Sequence, residues 1–106
     1  MVYTDIPYSR SVAQDFEWDE AKAASNLAKH GISFGSAIEL FADETVAVIP
    51  SLREHDGEDR FKAIGRVEGR LYAAVYTERE GRRRIISARR ANSGEVKQYG
   101  HRSLQP

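Results

Sequence analysis

The apolar and polar positions of this chain change period once, near residue 45. Before that point, Phe16-Glu17-Trp18 alternates apolar, polar, apolar, as a short strand does with both aromatics on one face. Asp19 follows as an N-cap carboxylate, and Ala21 to His30 is dense in helix formers. Ala24, Leu27 and Ala28 make a narrow apolar stripe, and Gly31 stands where a left-handed C-cap belongs. Ser33 caps a second helix, in which Phe34, Ala37, Ile38 and Phe41 recur at i, i+3, i+4 and i+7 and Ile32 can staple onto Ala37. Asp43 and Glu44 end it.

From Thr45 onward the pattern is extended. Thr45 to Ile49 is β-rich and stops at Pro50, and a polar loop holding His55-Asp56-Gly57-Glu58 precedes a strand from Arg60 to Val67. Glu68-Gly69 makes a tight hairpin turn, Leu71 to Tyr76 is apolar at every position like a central strand, and Glu80-Gly81 turns the chain into an arginine-rich strand, Arg82 to Arg89. Asn92 and Glu95 have capping-box spacing and open a last helix, with Val96 and Tyr99 inward. This order predicts an α+β fold: an antiparallel sheet with two N-terminal helices and one C-terminal helix packed on one face. Phe34, Ile38, Phe41, Leu71, Val75 and Ile85 or Ile86 are its expected core. Residues 1–14, with Pro7 and no periodicity, read as a flexible extension, and residues 15–106 as a single domain.

Charge changes the picture. The chain has no formal net charge, yet residues 79–102 carry eight basic side chains (Arg79, Arg82, Arg83, Arg84, Arg89, Arg90, Lys97, Arg102) against Glu80 and Glu95. The rest of the molecule therefore holds the balancing excess of carboxylates. Crowded guanidinium groups repel one another, and an anion relieves that repulsion; nucleic acid is the polyanion that fits a stripe of arginines. The plainer reading is a solvated strand kept charged against aggregation. The absence of cysteine excludes disulfides, thiolate metal sites and cysteine nucleophiles, and suits a reducing cytoplasm. No apolar run has the length of a membrane span.

A basic sheet has one chemistry open to it that needs no metal. The ribose 2′-hydroxyl of RNA attacks its own phosphodiester, given a base, cations for the phosphorane and a proton for the leaving oxygen. Arginine suits the cation role because its planar fork meets two phosphate oxygens and stays charged. By the two-residue period Arg82 and Arg84 share one face of their strand, and Arg83 and Arg89 the other. Glu58, Arg60 and His30 are candidates for proton transfer or phosphate contact, and Tyr99 for orienting a base. Each also has a structural reading: His30 beside Gly31 favours the helix dipole, Glu58 sits on a solvated loop, and Tyr99 is half core. His30, His55 and His101 show no metal-ligand spacing, so no metal site is expected. The residues alone do not separate an RNA-cutting enzyme from a binder.

The strings FEWDEAKAASNLAKHGISF (16–34), EDRFKAIGR (58–66), VYTEREGRRRIISARRAN (75–92) and EVKQY (95–99) resemble, in this order and spacing, the BrnT family of type II toxins. The resemblance implies a RelE-like fold and a metal-independent ribonuclease that halts translation, with no cofactor. It also implies an RNA substrate, a BrnA-like ribbon-helix-helix antitoxin and operator DNA reached only through that antitoxin. Lys29, His30, Glu58, Arg60, Arg84, Ser87, Arg89 and Tyr99 fall on the family's recurring polar positions. The expected assignment is Arg84, Arg89, Glu58 and His30 as catalytic, with Lys29, Arg60, Arg82, Arg90 and Tyr99 contacting RNA. Arg83 departs from the pattern, standing where an apolar residue is usual, and the N-terminal extension is longer than the family start requires. The alternative is an inactive toxin homologue that only binds a DNA-binding antitoxin.

Overall fold

The structure, a computed structural model, describes residues 16–51 and 58–103. The expected N-terminal extension and the His55-Asp56 part of the polar loop lie outside the described residues. The elements are β1 (Phe16–Trp18), α1 (Glu20–His30), α2 (Phe34–Ala37) running into a 3-10 turn (Ile38–Ala42), β2 (Ala47–Pro50), β3 (Arg60–Val67), β4 (Arg70–Arg79), β5 (Arg82–Arg90) and α3 (Ser93–Ser103).

Local signals place the helix ends. Asp19 Oδ2 accepts from the Lys22 N–H at 2.9 Å, Gly31 closes α1 at φ 74°, and Ser33 Oγ accepts from the Ser36 N–H at 3.0 Å. Both hairpin turns have two residues, Glu68-Gly69 and Glu80-Gly81, with positive φ at each position. That is the primed geometry whose twist matches two antiparallel strands.

The sheet has five strands in the order β1-β5-β4-β3-β2, with β4 in the middle. It is mixed where an antiparallel sheet was expected, because β1 pairs parallel to β5 (Phe16 beside Arg83, Trp18 beside Ile85). The chain leaves β1 through both N-terminal helices and returns to its side only after β2, β3 and β4. Two-residue periodicity marks β1 as a strand but carries no information on its neighbour.

The helices occupy both faces, not one. α1, α2 and the 3-10 turn cover a first face, enclosing Phe16, Ile32, Phe34, Ala37, Leu40, Ala63, Ala74, Tyr76, Ile85 and Ala88. α3 lies on the second face, where Tyr99 packs with Ala47, Ile64 and Ala73. Gly65 lets the 3-10 turn close on β3: a Cβ there would stand 2.7 Å from the Leu40 carbonyl oxygen.

Two apolar stripes point otherwise than expected. Ala24, Leu27 and Ala28 of α1 are exposed; the helix docks through Ala23 and Asn26. The Asn26 amide donates to the Ile32 and Ala88 carbonyls (3.2 and 2.9 Å) and accepts from the Ala88 N–H (3.2 Å). A polar residue thus does the docking by completing the hydrogen bonding of β5 and of the turn after α1. On α3, Val96 is exposed while Glu95 and Tyr99 turn inward. Phe34, Ile38 and Ile85 lie in the core as expected, whereas Phe41, Leu71, Val75 and Ile86 are only partly buried.

Phe34→Ala removes a ring that is 1 % exposed, and is expected to cost about 3–5 kcal/mol in urea unfolding. Leu27→Ala, on the solvent side of α1, is expected to cost about 0.5 kcal/mol or less.

Candidate active site

The arginine strand does not keep a strict alternation. Tyr76 pairs with Ile85 and Val75 with Ser87, so Ile86 is an extra residue in the β5 register. This bulge resets which side chains face which way. Arg82, Arg84, Ser87 and Arg89 share the second face; Arg83, Ile85, Ala88 and Arg90 share the first. The expected grouping of Arg89 with Arg83 is therefore corrected. Arg83 spreads its guanidinium over Phe41 at 4.9 Å and over Phe16 and Tyr76 at 5.8 Å each. The cation at this unusual position thus stacks on rings at the edge of the first core and leaves the basic stripe.

Register carries the second face across the sheet. Glu17, Arg84, Thr77 and Arg60 form one row, and Ser87, Val75, Lys62 and Ile49 the next. α3 covers only the end with Ile64 and Ala73. Beside it remains an open cleft of about 800 Å³ lined by Ile49, Pro50, Ser51, Lys62, Val75, Ser87, Arg89 and Gln98. Val75, expected in the core, is part of its apolar floor.

Glu95 organises that floor. Its carboxylate, 2 % exposed, accepts from Arg89 Nη1 and Nη2 at 2.8 Å each, from Lys62 Nζ at 2.8 Å and from the Asn92 N–H at 2.9 Å. Asn92 Oδ1 takes the Glu95 N–H in return at 2.8 Å, completing the capping box. Burial pushes the carboxyl up, but the Arg89, Lys62 and Asn92 hydrogen bonds outweigh it and hold Glu95 down at about 2. The same pairing raises Arg89. The Arg89 fork is thus occupied by a carboxylate inside the protein.

At the other end of the face, Glu17 Oε2 lies 3.2 Å from Arg84 Nη1 and Glu17 Oε1 lies 4.0 Å from Arg82 Nη1. Glu58 accepts from Arg79 Nε at 2.7 Å and Nη2 at 3.2 Å. The Arg79 hydrogen bond holds the Glu58 carboxyl below its ordinary value, with Arg79, Arg60 and Arg84 adding through charge. Arg60 Nε is out of reach of water and has no hydrogen-bond partner among the described residues.

The structure brings Arg60, Arg82, Arg84, Arg89 and Glu58 to one face. It does not bring His30 or Lys29 there: both are exposed in the last turn of α1, over the first face. Arg90 is also on the first face, 5.8 Å above the Tyr72 ring. Tyr99 is 5 % exposed, and its hydroxyl donates to Asp43 Oδ2 at 2.7 Å and is paired with the Thr45 hydroxyl. Its ring is not free to stack on a base. Lys62 is the cleft residue that the sequence reading missed, although its place two residues after Arg60 was a usable signal. The sequence marks Glu95 as a cap and an offsetting charge, and Glu17 as the polar member of an alternation, without showing which cations each meets. Among the described residues, no three His, Asp or Glu side chains gather as a metal site, and no helix is long and apolar enough to cross a membrane.

A mixed sheet with one face walled by helices and the other covered at one end by α3 and elsewhere open and cation-lined defines a small α+β domain suited to an extended anion. The chain belongs to the BrnT family: the model described as "Ribonuclease toxin, BrnT, of type II toxin-antitoxin system" matches residues 18–95. It is a ribonuclease toxin whose partners are RNA and an antitoxin. No curated protein is similar enough to be matched to it.

Because Glu95 sits near 2 in the folded protein against 4.5 as an ordinary glutamate, the unfolded chain takes up its proton first. Its stabilisation is complete above the ordinary value and is lost as pH falls from about 5 toward 2, by about 3 kcal/mol. The difference in unfolding free energy between wild type and Glu95→Gln is expected to shrink across that window and to be flat above it.

Proposed function

We propose that this toxin cleaves RNA on the open second face of its sheet, without a metal, by attack of a ribose 2′-hydroxyl on the adjacent phosphodiester, and so stops translation. The observation that carries this reading is the convergence of Arg60, Lys62, Arg84, Ser87 and Arg89 on one face. Arg84, one-third exposed and paired with Glu17, is the guanidinium that meets the phosphorane. Lys62 gives one N–H to Glu95 and keeps two donors for the substrate. Arg89 acts through Glu95 as the strut that fixes Lys62 and the α3 wall. Of the two expected proton acceptors, Glu58 stands near Arg84 and His30 stands over the other face. Glu58 therefore takes the 2′-hydroxyl proton once RNA draws Arg79 away, since a carboxylate held low is a weak base until that pair opens.

The five-stranded sheet supports a RelE-like fold. The excess of cations on the open face supports an antitoxin of the BrnA type, with a ribbon-helix-helix part, whose acidic segment covers the cleft in the cytoplasm and carries the complex to operator DNA.

Single-turnover cleavage tests the chemistry. Arg84→Ala is expected to lower the rate about a hundredfold with a smaller loss of RNA affinity, and Arg84→Lys not to restore it. RNA with 2′-deoxyribose at the cut position is expected to resist, and chelators to leave the rate unchanged. Cleavage of the deoxy substrate, or inhibition by chelator, would overturn the mechanism. Toxin–antitoxin association is expected to slow as ionic strength rises through about 0.15 M; a salt-independent rate would place the antitoxin elsewhere.

A further inference from the structure

Glu17, on the edge strand β1 beside β5, is a carboxylate on the open face placed as an anion would be. Its two oxygens reach guanidinium groups two residues apart on β5, at 3.2 Å from Arg84 and 4.0 Å from Arg82. A phosphodiester offers its two non-bridging oxygens in much the same span. The pair is wet: the Glu17, Arg84 and Arg82 side chains are 30, 31 and 60 % exposed. An exposed ion pair is weakly held, so another anion exchanges for it at little cost. Register places Arg60 in the same row.

The next row, with Ser87 and Lys62, is two residues along the sheet, about 6.7 Å. That step is comparable to the separation of consecutive phosphates on a single RNA strand. A cationic groove that tracks a backbone in this way is how single strands are held without regard to sequence.

We infer that Arg82, Arg84 and Arg60 seat the reacting phosphodiester, one nucleotide from a neighbouring phosphate at the Lys62–Ser87 row, that Glu17 occupies this seat in the free toxin, and that RNA displaces Glu17 on binding. The inference rests on the ribonuclease reading for its ligand. Glu17 is then a resident phosphate surrogate: it keeps the two guanidinium groups aligned and neutralised until a polyanion arrives, and it sets how tightly RNA is held.

The test is equilibrium binding of a non-cleavable 2′-O-methyl RNA oligonucleotide to the full chain over a range of salt. Glu17→Gln keeps the shape of the side chain and removes its charge. It is expected to tighten binding about two- to fivefold at low salt and to steepen the log–log salt slope by up to about 0.7. Arg82→Ala, at an exposed position that folding does not need, is expected to weaken binding, to flatten the slope by about 0.7 and to abolish most of the gain from Glu17→Gln. A folded Glu17→Gln protein with unchanged or weaker affinity overturns the inference, as does Arg82→Ala with wild-type affinity. Cleavage of unmodified RNA by the wild type separates the two readings. Cleavage with no Glu17 effect leaves the ribonuclease and removes the displacement of Glu17, whereas the Glu17 effect without cleavage leaves the anion seat and removes the chemistry.

Discussion

A strand can show its side chains only alternately, so a run of arginines on one strand must ordinarily be split between two faces. The extra residue at Ile86 is how this domain escapes that limit. Arg82 and Arg84 before the bulge and Ser87 and Arg89 after it fall on one side, while Ile85 and Ala88 go to the other and are buried there at 2 and 0 % exposure. Under strict alternation, a β5 that kept Ile85 in the first core would have turned Ser87 and Arg89 toward the helices and Ala88 toward the cleft. Asn26, which holds α1 to the Ala88 backbone, takes its place from the same reset. One inserted residue thus makes a buried apolar face and a cationic open face compatible on a single strand.

Charge on the open face is then arranged in two layers of different permanence. Deep in the cleft, Glu95 is nearly inaccessible and binds Arg89 and Lys62 with short hydrogen bonds. Removing one partner from such a buried cluster leaves an uncompensated charge, which is why the set is held together as a unit. Glu95 also caps α3, so one carboxylate sets both the height of the cleft wall and the position of its cations. Nearer solvent, Glu17 and Glu58 hold Arg84, Arg82 and Arg79 through exposed pairs that water and salt weaken. The inner layer gives the cleft its form, and the outer layer is exchangeable. A face built to take an extended anion is served by both, a rigid floor that fixes its shape and cations that an incoming polyanion can claim.

Much of this was legible in the sequence where the cause is local. Caps at Asp19, Ser33 and Asn92, the C-cap at Gly31, both Glu-Gly turns, the limits of β3 and, within a residue, those of β5 all depend on residues within a few positions of one another, and the structure has each of them, whereas β4 runs on to Arg79 beyond the expected Tyr76. The spacing of four strings along the chain likewise identified the family. Misplaced expectations share one feature: they depend on which distant element is the neighbour. The stripe on α1 faces solvent because Asn26 found hydrogen-bond partners on a strand 62 residues away. Val96 yielded the inward position on α3 to Glu95 because two cations from β3 and β5 were waiting there.

The sequence by itself therefore determined the elements, their order, the arginine-rich strand and the toxin family, since periodicity, capping and turn chemistry act over short separations. Only the tertiary structure decided that β1 lies parallel to β5, that helices cover both faces, that Arg89 joins Arg82 and Arg84, and that His30, Lys29 and Arg90 stand apart from them. Those outcomes follow from strand pairing, a register shift and long-range ion pairs. Their energies depend on contacts between residues that nothing in the linear order brings together.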